Sequence, residues 1–273
     1  MSALFASLQK VVPAHALSRL VGRLASSENE LIKRAFIESF ARIYDVNMSE
    51  AQRSDLGEYR SFNEFFTRPL KEGARPLSDG IVCPADGVVS QLGTIERGRL
   101  LQAKGHDYAL TTLAGDLAEG LEGGNFCTIY LAPKDYHRVH LPWNGTLTAT
   151  LAIPGELYSV NAATESSIPG LFARNERLVC RFDTEVGPML VILVGAMIVA
   201  SIATDWEGPV SPYQREEVND YHLVYERGDE IGRFMLGSTV ICCFSPGQVT
   251  LNGRLQPGSS VRMGETMATP LNL

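Results

Sequence analysis

Four short stretches of this 273-residue chain carry side chains that can do chemistry. The first is Phe234-Met235-Leu236-Gly237-Ser238-Thr239-Val240, which follows the polar turn Glu226-Arg227-Gly228-Asp229-Glu230 and runs into the apolar residues 240–244. Glycine lacks a Cβ and reaches backbone angles closed to other residues, so the peptide before Ser238 can be strained or closely approached. Given a base, the Ser238 hydroxyl can attack the Gly237 carbonyl and turn the amide into an ester. Elimination from that ester breaks the chain and leaves a keto group where the serine stood. The bland alternative is a plain serine in a turn that hands over to a buried strand. The second stretch, Pro133-Lys134-Asp135-Tyr136-His137-Arg138-Val139-His140-Leu141-Pro142, holds two of the five histidines. Histidine accepts and returns a proton near neutral pH, which makes this the obvious source of a base. A His-x-x-His pair is also half a metal site, but no third ligand lies at a familiar spacing, and no metal is expected. Residues three apart on a strand face opposite ways, so His137 and His140 reach one pocket only if the segment bends. Pro133 and Pro142 make a loop the expectation there.

The third stretch is Cys83-Pro84-Ala85-Asp86-Gly87-Val88, whose Asp-Gly pair ordinarily marks a turn. The fourth, Gly155-Glu156-Leu157-Tyr158-Ser159-Val160-Asn161, reads as a polar loop able to line a pocket. Asp, His and Ser together suggest a triad in which a carboxylate orients an imidazole and the imidazole takes the hydroxyl proton. Ser238 lacks the second glycine of a Gly-x-Ser-x-Gly elbow, and the body lacks the alternating strands and helices of that hydrolase fold. An ordinary esterase is therefore disfavoured. The nearest scissile bond is the chain's own.

Two unlike regions must position these groups. Leu4, Phe5, Leu8, Val11 and Val12 recur at helical spacing until Pro13, and Leu17, Leu20, Val21 and Leu24 form a second stripe. A third stripe, Leu31, Ile32, Ala35, Phe36, Phe40 and Ile43, follows Ser27-Glu28-Asn29, which can cap it. Residues 1–44 carry six basic and three acidic side chains in a chain of net charge −7. The acidic body argues against nucleic acid, while the basic amphipathic head suits an anionic membrane surface. The alternative for these helices is a small subdomain packed on the body. The aromatic run Ser61-Phe62-Asn63-Glu64-Phe65-Phe66-Thr67-Arg68-Pro69 is core or an interface patch. After Pro76 the character changes to β-formers between Gly, Pro, Asn and Asp, with strands expected at 87–90, 125–131, 145–153, 178–182 and 189–202 and one helix near 108–117. The expected fold class is α+β, mainly β, with N-terminal amphipathic helices in residues 1–76 and a β-sandwich or barrel-hybrid catalytic body in residues 77–273. A faint internal echo links Gly228-Asp229-Glu230 with Gly264-Glu265, each before a strand. The five cysteines are odd in number and form no Cys-x-x-Cys pair, and no secretory pattern opens the chain, so reduced thiols in a cytosolic setting are expected. The longest apolar run, 189–200, is broken by Gly195 and too short to span a bilayer.

The chain resembles the phosphatidylserine decarboxylases, specifically the bacterial proenzyme type. The resemblance rests on Leu236-Gly237-Ser238-Thr239, Pro84-Ala85-Asp86-Gly87, Asp135-Tyr136-His137-Arg138-Val139-His140, Ser61-Phe62-Asn63-Glu64-Phe65-Phe66-Thr67-Arg68 and Val194-Gly195-Ala196, which span nearly the whole chain in the family's order. It implies a proenzyme that cuts itself between Gly237 and Ser238, with Ser238 becoming an N-terminal pyruvoyl group, the covalent cofactor. It further implies that Asp86, His140 and Ser238 form the self-cleavage triad and that His137 helps in decarboxylation. On this reading the keto group forms a Schiff base with the serine headgroup of phosphatidylserine, carbon dioxide leaves, and phosphatidylethanolamine results. The implied partners are phosphatidylserine, an anionic membrane surface, and the cleaved chains 1–237 and 238–273 as a heterodimer, with further dimerisation left open. The implied location is peripheral, on the cytoplasmic side of the cell membrane. Two alternatives stand beside it. One is a pyruvoyl-dependent decarboxylase of a soluble amino acid, against which the amphipathic N-terminal helices count. The other is a non-enzymatic β-sandwich carrier or scaffold, which would need a modified lysine at a hairpin tip that the sequence does not present.

Overall fold

The computed structural model describes residues 21–196, 202–209, 213–235 and 238–271, with the side chains of Ala162 and Ser238 excepted. The first expected helical stripe and part of the second lie outside the described residues. The third is the helix Glu30–Ile43, whose N-terminal amides at Leu31 and Ile32 are capped by the Asn29 side chain. Its inner face, Phe36, Ile37 and Phe40, packs on the short helix Phe62–Phe66, itself capped by Ser61. The Phe40 ring lies edge-on to those of Phe62, Phe65 and Phe66, with centroids 5.0–6.2 Å apart. The aromatic run is therefore core. On the outside, Leu31, Ile43 and Tyr44 stay exposed, beside an apolar groove of about 480 Å³ lined by Val21, Phe36, Phe40 and Phe62. Among the described residues no helix is long and apolar enough to cross a membrane.

An eight-stranded sheet dominates the rest, in the spatial order β12 (Glu217–Tyr225), β7 (Gly145–Ile153), β8 (Arg177–Asp183), β9 (Met189–Val194), β14 (Ser238–Phe244), β5 (Asn125–Leu131), β2 (Gly87–Thr94), β16 (Ser260–Val261). A four-stranded sheet runs β11 (Gly208–Pro209), β10 (Ile202–Thr204), β13 (Glu230–Phe234), β6 (Arg138–His140). A three-stranded sheet joins β1 (Ile81–Val82), β17 (Thr266–Pro270) and β15 (Val249–Leu251), and β3 (Arg99–Leu101) pairs with β4 (Asp107–Ala109). The fold is thus α+β, mainly β. Strand composition follows position. In β9, Met-Leu-Val-Ile-Leu-Val is buried throughout, because Met189, Val191 and Leu193 enter one core while Leu190, Ile192 and Val194 enter another. In the edge strand β12 exposed and partly buried positions alternate, and Val218 and Val224 are among the exposed ones.

The expected helix near 108–117 is shorter: Tyr108 lies in β4, a helix covers Leu110–Ala114, and Gly115 at φ 55° ends it before a 3-10 turn. The single run expected at 189–202 is two strands in different sheets, β9 and β10, with Gly195 after the first. All five cysteines are buried and unbridged. The echo between the two glycine turns is structural. Gly228 and Gly264 take φ of 91° and 89°, each precedes a strand, and both press on the same spot. A Cβ at Gly228 would lie 2.7 Å from Leu77 Cδ1, and one at Gly264 2.5 Å from the Pro76 carbonyl oxygen.

Gly87 starts β2 where the strands approach too closely for a side chain, since a Cβ there would sit 2.2 Å from the Tyr130 carbonyl oxygen. Gly87→Ala is expected to part β2 from β5 and cost about 2 kcal/mol or more. Urea denaturation measures this, and an unchanged midpoint would show that the pairing yields without penalty.

Candidate active site

One end of the large sheet gathers the groups singled out above. Tyr130 of β5 pairs with Val88 of β2 on one side and with Thr239 of β14 on the other, and Thr239 in turn pairs with Val194 of β9. The residues just before Val88 and Thr239 are Gly87 and Ser238, so both strands begin at this end. Ser238 itself pairs with Leu131, the last residue of β5. Asp86 therefore stands about two strand spacings, roughly 10 Å, from the Ser238 backbone. Leu236 and Gly237 lie outside the described residues.

The second sheet brings the histidines. After Leu131 the chain turns at 132–135, closed by the Asp135 amide donating to the Ala132 carbonyl and the Ala132 amide donating to the Asp135 carboxylate. This turn comes before both histidines; the loop expected between Pro133 and Pro142 instead contains the strand β6, which lies alongside β13 because its backbone pairs there. His140 pairs with Glu230, and the Phe234 amide donates to the His137 carbonyl at 3.0 Å. The His140 amide donates to the Pro84 carbonyl at 2.8 Å, which ties β6 to the segment bearing Asp86. Asp86, His137, His140 and the start of β14 are thus held together by backbone hydrogen bonds from two sheets.

Side-chain partners assign protonation. His140 Nδ1 lies 2.8 Å from the Gly228 carbonyl, and a carbonyl only accepts, so Nδ1 carries the hydrogen and Nε2 the lone pair. That lone pair faces the Tyr136 hydroxyl at 3.0 Å. His137 repeats the pattern with Nδ1 2.8 Å from the Asp135 carbonyl, but its buried Nε2 has no partner. Burial lowers the pKa of both rings, that of His137 from 6.5 to about 3. Both are neutral at pH 7.

Asp86 does not touch His140. Its carboxylate takes two oxygens' worth of hydrogen bonds from Arg75, with Nε at 2.8 and 3.1 Å and Nη2 at 2.5 Å, plus the Met263 amide at 2.9 Å. Arg75 also pairs with Glu50, which pairs onward with Arg262. Asp86, Arg68, Arg75, Lys134 and Tyr136 line a cavity of about 240 Å³. Arg68 is 3 % exposed, and its Nε and Nη1 lack hydrogen-bond partners, while Nη2 donates to the Lys134 carbonyl. The fourth stretch, 155–161, is locked by Asn175, whose amide group bonds both backbone groups of Tyr158 and the Gly195 carbonyl.

The phosphatidylserine decarboxylase family model matches residues 62–269, and a second model, described as PSD, matches residues 4–45. A phosphatidylserine decarboxylase proenzyme of Pseudomonas entomophila is 55 % identical, with 98 % of each chain covered. Those of Acinetobacter baylyi and Pseudomonas aeruginosa are each 52 % identical, over 98 % of this chain and 96 % and 97 % of their own. The chain belongs to the phosphatidylserine decarboxylase family.

Within this phosphatidylserine decarboxylase fold, Arg75 and Glu176 belong to the site region without having been singled out in sequence, and Gly228 stood out there only as a turn residue. Glu176 lies just before β8, the neighbour of β9, its carbonyl accepting from the Gly195 amide, and burial raises its carboxyl pKa to about 7. Tyr136 and Arg68 sat inside conspicuous motifs, but nothing in the motifs assigned them a contact.

The depressed pKa of His137 carries a stability consequence. The unfolded chain binds its proton near pH 6.5 and the folded chain only near pH 3, so the contribution is full above pH 6.5 and is lost as pH falls through that window. His137→Asn, which keeps a donor toward the Asp135 carbonyl, should flatten the acid limb by as much as about 1.4 kcal/mol per pH unit. Urea melts at pH 7, 6 and 5 test it, and a slope equal to that of the unsubstituted protein would refute a neutral buried His137.

Proposed function

We propose that this protein is a self-cleaving, pyruvoyl-dependent phosphatidylserine decarboxylase that releases carbon dioxide and yields phosphatidylethanolamine. What carries the reading is the sequence Leu236-Gly237-Ser238-Thr239 in a chain that matches curated proenzymes over nearly its whole length. In the proposed processing, Ser238 Oγ bonds to the Gly237 carbonyl carbon and the peptide C–N bond breaks. The resulting ester then loses the Gly237 carboxylate by elimination, and water replaces the nitrogen as ammonia. Asp86 and His140 serve this step, His140 through its Nε2 lone pair. A pyruvoyl group at position 238 supplies a ketone that takes up the substrate amine and draws off the electron pair left by carbon dioxide. The surroundings suit it: the backbone there is fixed by pairing to Leu131, and nearby groups remain neutral or unpartnered, notably His137 Nε2. His137 returns a proton to the carbon that lost the carboxyl group.

One preparation series tests both roles. The purified protein should separate into a chain ending at Gly237 and a 36-residue chain beginning at position 238. The small chain should be lighter by one ammonia than a serine-initiated peptide and blocked to N-terminal sequencing. His140→Ala and Asp86→Ala should remain uncut and inactive. His137→Ala should cut at least partly yet release little carbon dioxide. An active preparation of intact chains sinks the pyruvoyl reading, and a His140→Ala protein that cuts normally removes that histidine from processing.

Residues 1–76 are proposed as the membrane-associating region of this enzyme and residues 77–273 as its catalytic body, peripheral on the cytoplasmic side of the cell membrane. Support comes from the basic N-terminal stripes and from the exposed Leu31, Ile43 and Tyr44 beside the apolar groove. Sedimentation with anionic vesicles should bind the protein, weaken at high salt, and fall when Lys10, Arg19 and Arg23 are neutralised. Binding unchanged by all three substitutions would leave these helices as packing elements.

A further inference from the structure

Three consecutive residues at the end of the short helix Phe62–Phe66 grip the segment that carries His137, each by a different contact. The Phe66 ring lies 4.0 Å from the His137 ring, centroid to centroid, with the planes 40° apart. Both residues are covered, at 1 % and 0 % exposed. The Thr67 carbonyl accepts from Arg138 Nε at 2.9 Å. Arg68 Nη2 donates to the Lys134 carbonyl at 3.0 Å and, less closely, to that of Asp135 at 3.4 Å. That Asp135 oxygen is the one that takes the His137 Nδ1 hydrogen at 2.8 Å. A carbonyl oxygen has two lone pairs, so it serves both donors at once. The grip is anchored from behind. Phe66 also meets Phe40 and Phe62, at 5.7 and 5.8 Å between centroids, in the aromatic core of the N-terminal region.

We propose that Arg68 and Phe66 are positioning residues for His137 in decarboxylation, an inference that rests on the role given to that histidine above. Arg68 fixes the carbonyl that decides which ring nitrogen carries the hydrogen, and Phe66 fixes the plane of the ring. Nε2 is left with its lone pair and no competing partner among the described residues. Arg68 also acts through its charge. Its guanidinium adds to burial in holding the imidazole neutral, and an imidazolium formed there in turnover gives up its proton readily. The neighbouring charges are engaged elsewhere: the Asp135 carboxylate accepts from the Ala132 amide, Arg138 pairs with Glu230, and Asp86 pairs with Arg75. A tie between backbone carbonyls needs no charge, and a neutral amide would make it at a far smaller desolvation cost. Arg68 instead keeps a buried charge whose Nε and Nη1 have no hydrogen-bond partner, which sets it apart from a residue that only ties the turn.

The test uses processed full-length enzyme with phosphatidylserine in mixed detergent micelles, reading released carbon dioxide and nitrogen-15 spectra of labelled histidine at pH 7. The His137 signals are identified by their absence from His137→Asn. In the unsubstituted enzyme they should report one tautomer, with the hydrogen on Nδ1. Arg68→Gln should lower kcat at least about tenfold, the low end of what a positioned proton-transfer group contributes, with KM nearly unchanged. Its His137 signals should move toward each other as the two tautomers mix. Arg68→Lys, which keeps the charge and a donor, should recover part of the rate and the single tautomer. Phe66→Leu keeps the site apolar and should also mix the tautomers and lower kcat. A lowered melting temperature with kcat per folded molecule unchanged would overturn the proposal and leave both residues as packing. So would a lowered kcat with the Nδ1 tautomer intact in both variants. Should Arg68→Gln fail to fold, the kcat and tautomer of Phe66→Leu decide by the same two criteria. A His137→Ala enzyme that turns over normally would defeat the role of His137 itself, a result distinct from any outcome for Arg68 or Phe66.

Discussion

A backbone carbonyl decides which nitrogen of His140 is basic. Gly228 offers it because its φ of 91° turns the peptide toward β6, and few residues other than glycine hold that conformation without strain. The neighbourhood enforces the same choice, since Leu77 fills the space where a side chain at position 228 would stand. Further hydrogen bonds fix the turn, with the Gly228 amide donating to the Leu141 carbonyl and the Leu141 amide to that of Asp229. Through this one contact the 226–230 turn, the β6–β13 pair and the protonation state of the site become a single unit. Disturbing any part of it would leave the imidazole free to present the wrong tautomer.

A carboxylate is the more familiar partner for such an imidazole, and Asp86 is close enough to act on it electrostatically. Magnitudes explain why it is engaged elsewhere in the uncut chain. Asp86 and Arg75 are largely buried, and stripping one partner from a buried ion pair costs about 3–5 kcal/mol. A hydrogen bond to a neutral imidazole returns about 1 kcal/mol. The carboxylate therefore stays with Arg75 until something changes the balance, such as a positive charge arriving on His140. In the proposed processing, formation of an imidazolium is that change, and it would occur only once a proton has been taken from the reacting group. The assigned roles of Asp86 and His140 are consistent with this geometry if Asp86 stabilises the charged state and Gly228 organises the neutral one.

Much of the scaffold was legible in the sequence because burial leaves a periodic trace. The strands expected at 125–131 and 145–153 match β5 and β7 to the residue, and Asn29 caps the helix its position suggested. Periodicity reports which faces are buried, not which strands meet. That 189–202 divides between two sheets, and that Phe234 and Ser238 belong to different ones, follows from pairing across long separations that no local pattern records. The site was legible as a set of residue types. Its wiring was not: Arg75 is an isolated arginine before a proline, and nothing in its neighbours points to Asp86. Nor does the motif around Tyr136 reveal that its hydroxyl faces His140, since spacing along the chain does not say where a hydroxyl points. Residues 1–20, with half of the expected membrane-facing pattern, lie outside the described residues.

The location of the proposed cut follows from the same separation of sheets. Before it, β13 is held by β6 and β10; after it, β14 is held along its length by β5 and β9. The short chain that the cut would release also contributes β16 to the large sheet and β15 and β17 to the three-stranded one. Pulling it away would expose Val240, Ile241 and Phe244, all fully buried, at roughly 1.5–3 kcal/mol each from apolar surface alone. The two chains would therefore stay joined as a heterodimer without a covalent link. Cutting inside β14 would break a central strand of the eight-stranded sheet, and cutting inside β13 would release the turn that orients His140. The proposed cut falls between two strands that are anchored independently, so it would dismantle neither sheet and would leave His137, His140 and Asp86 in place for the proposed decarboxylation.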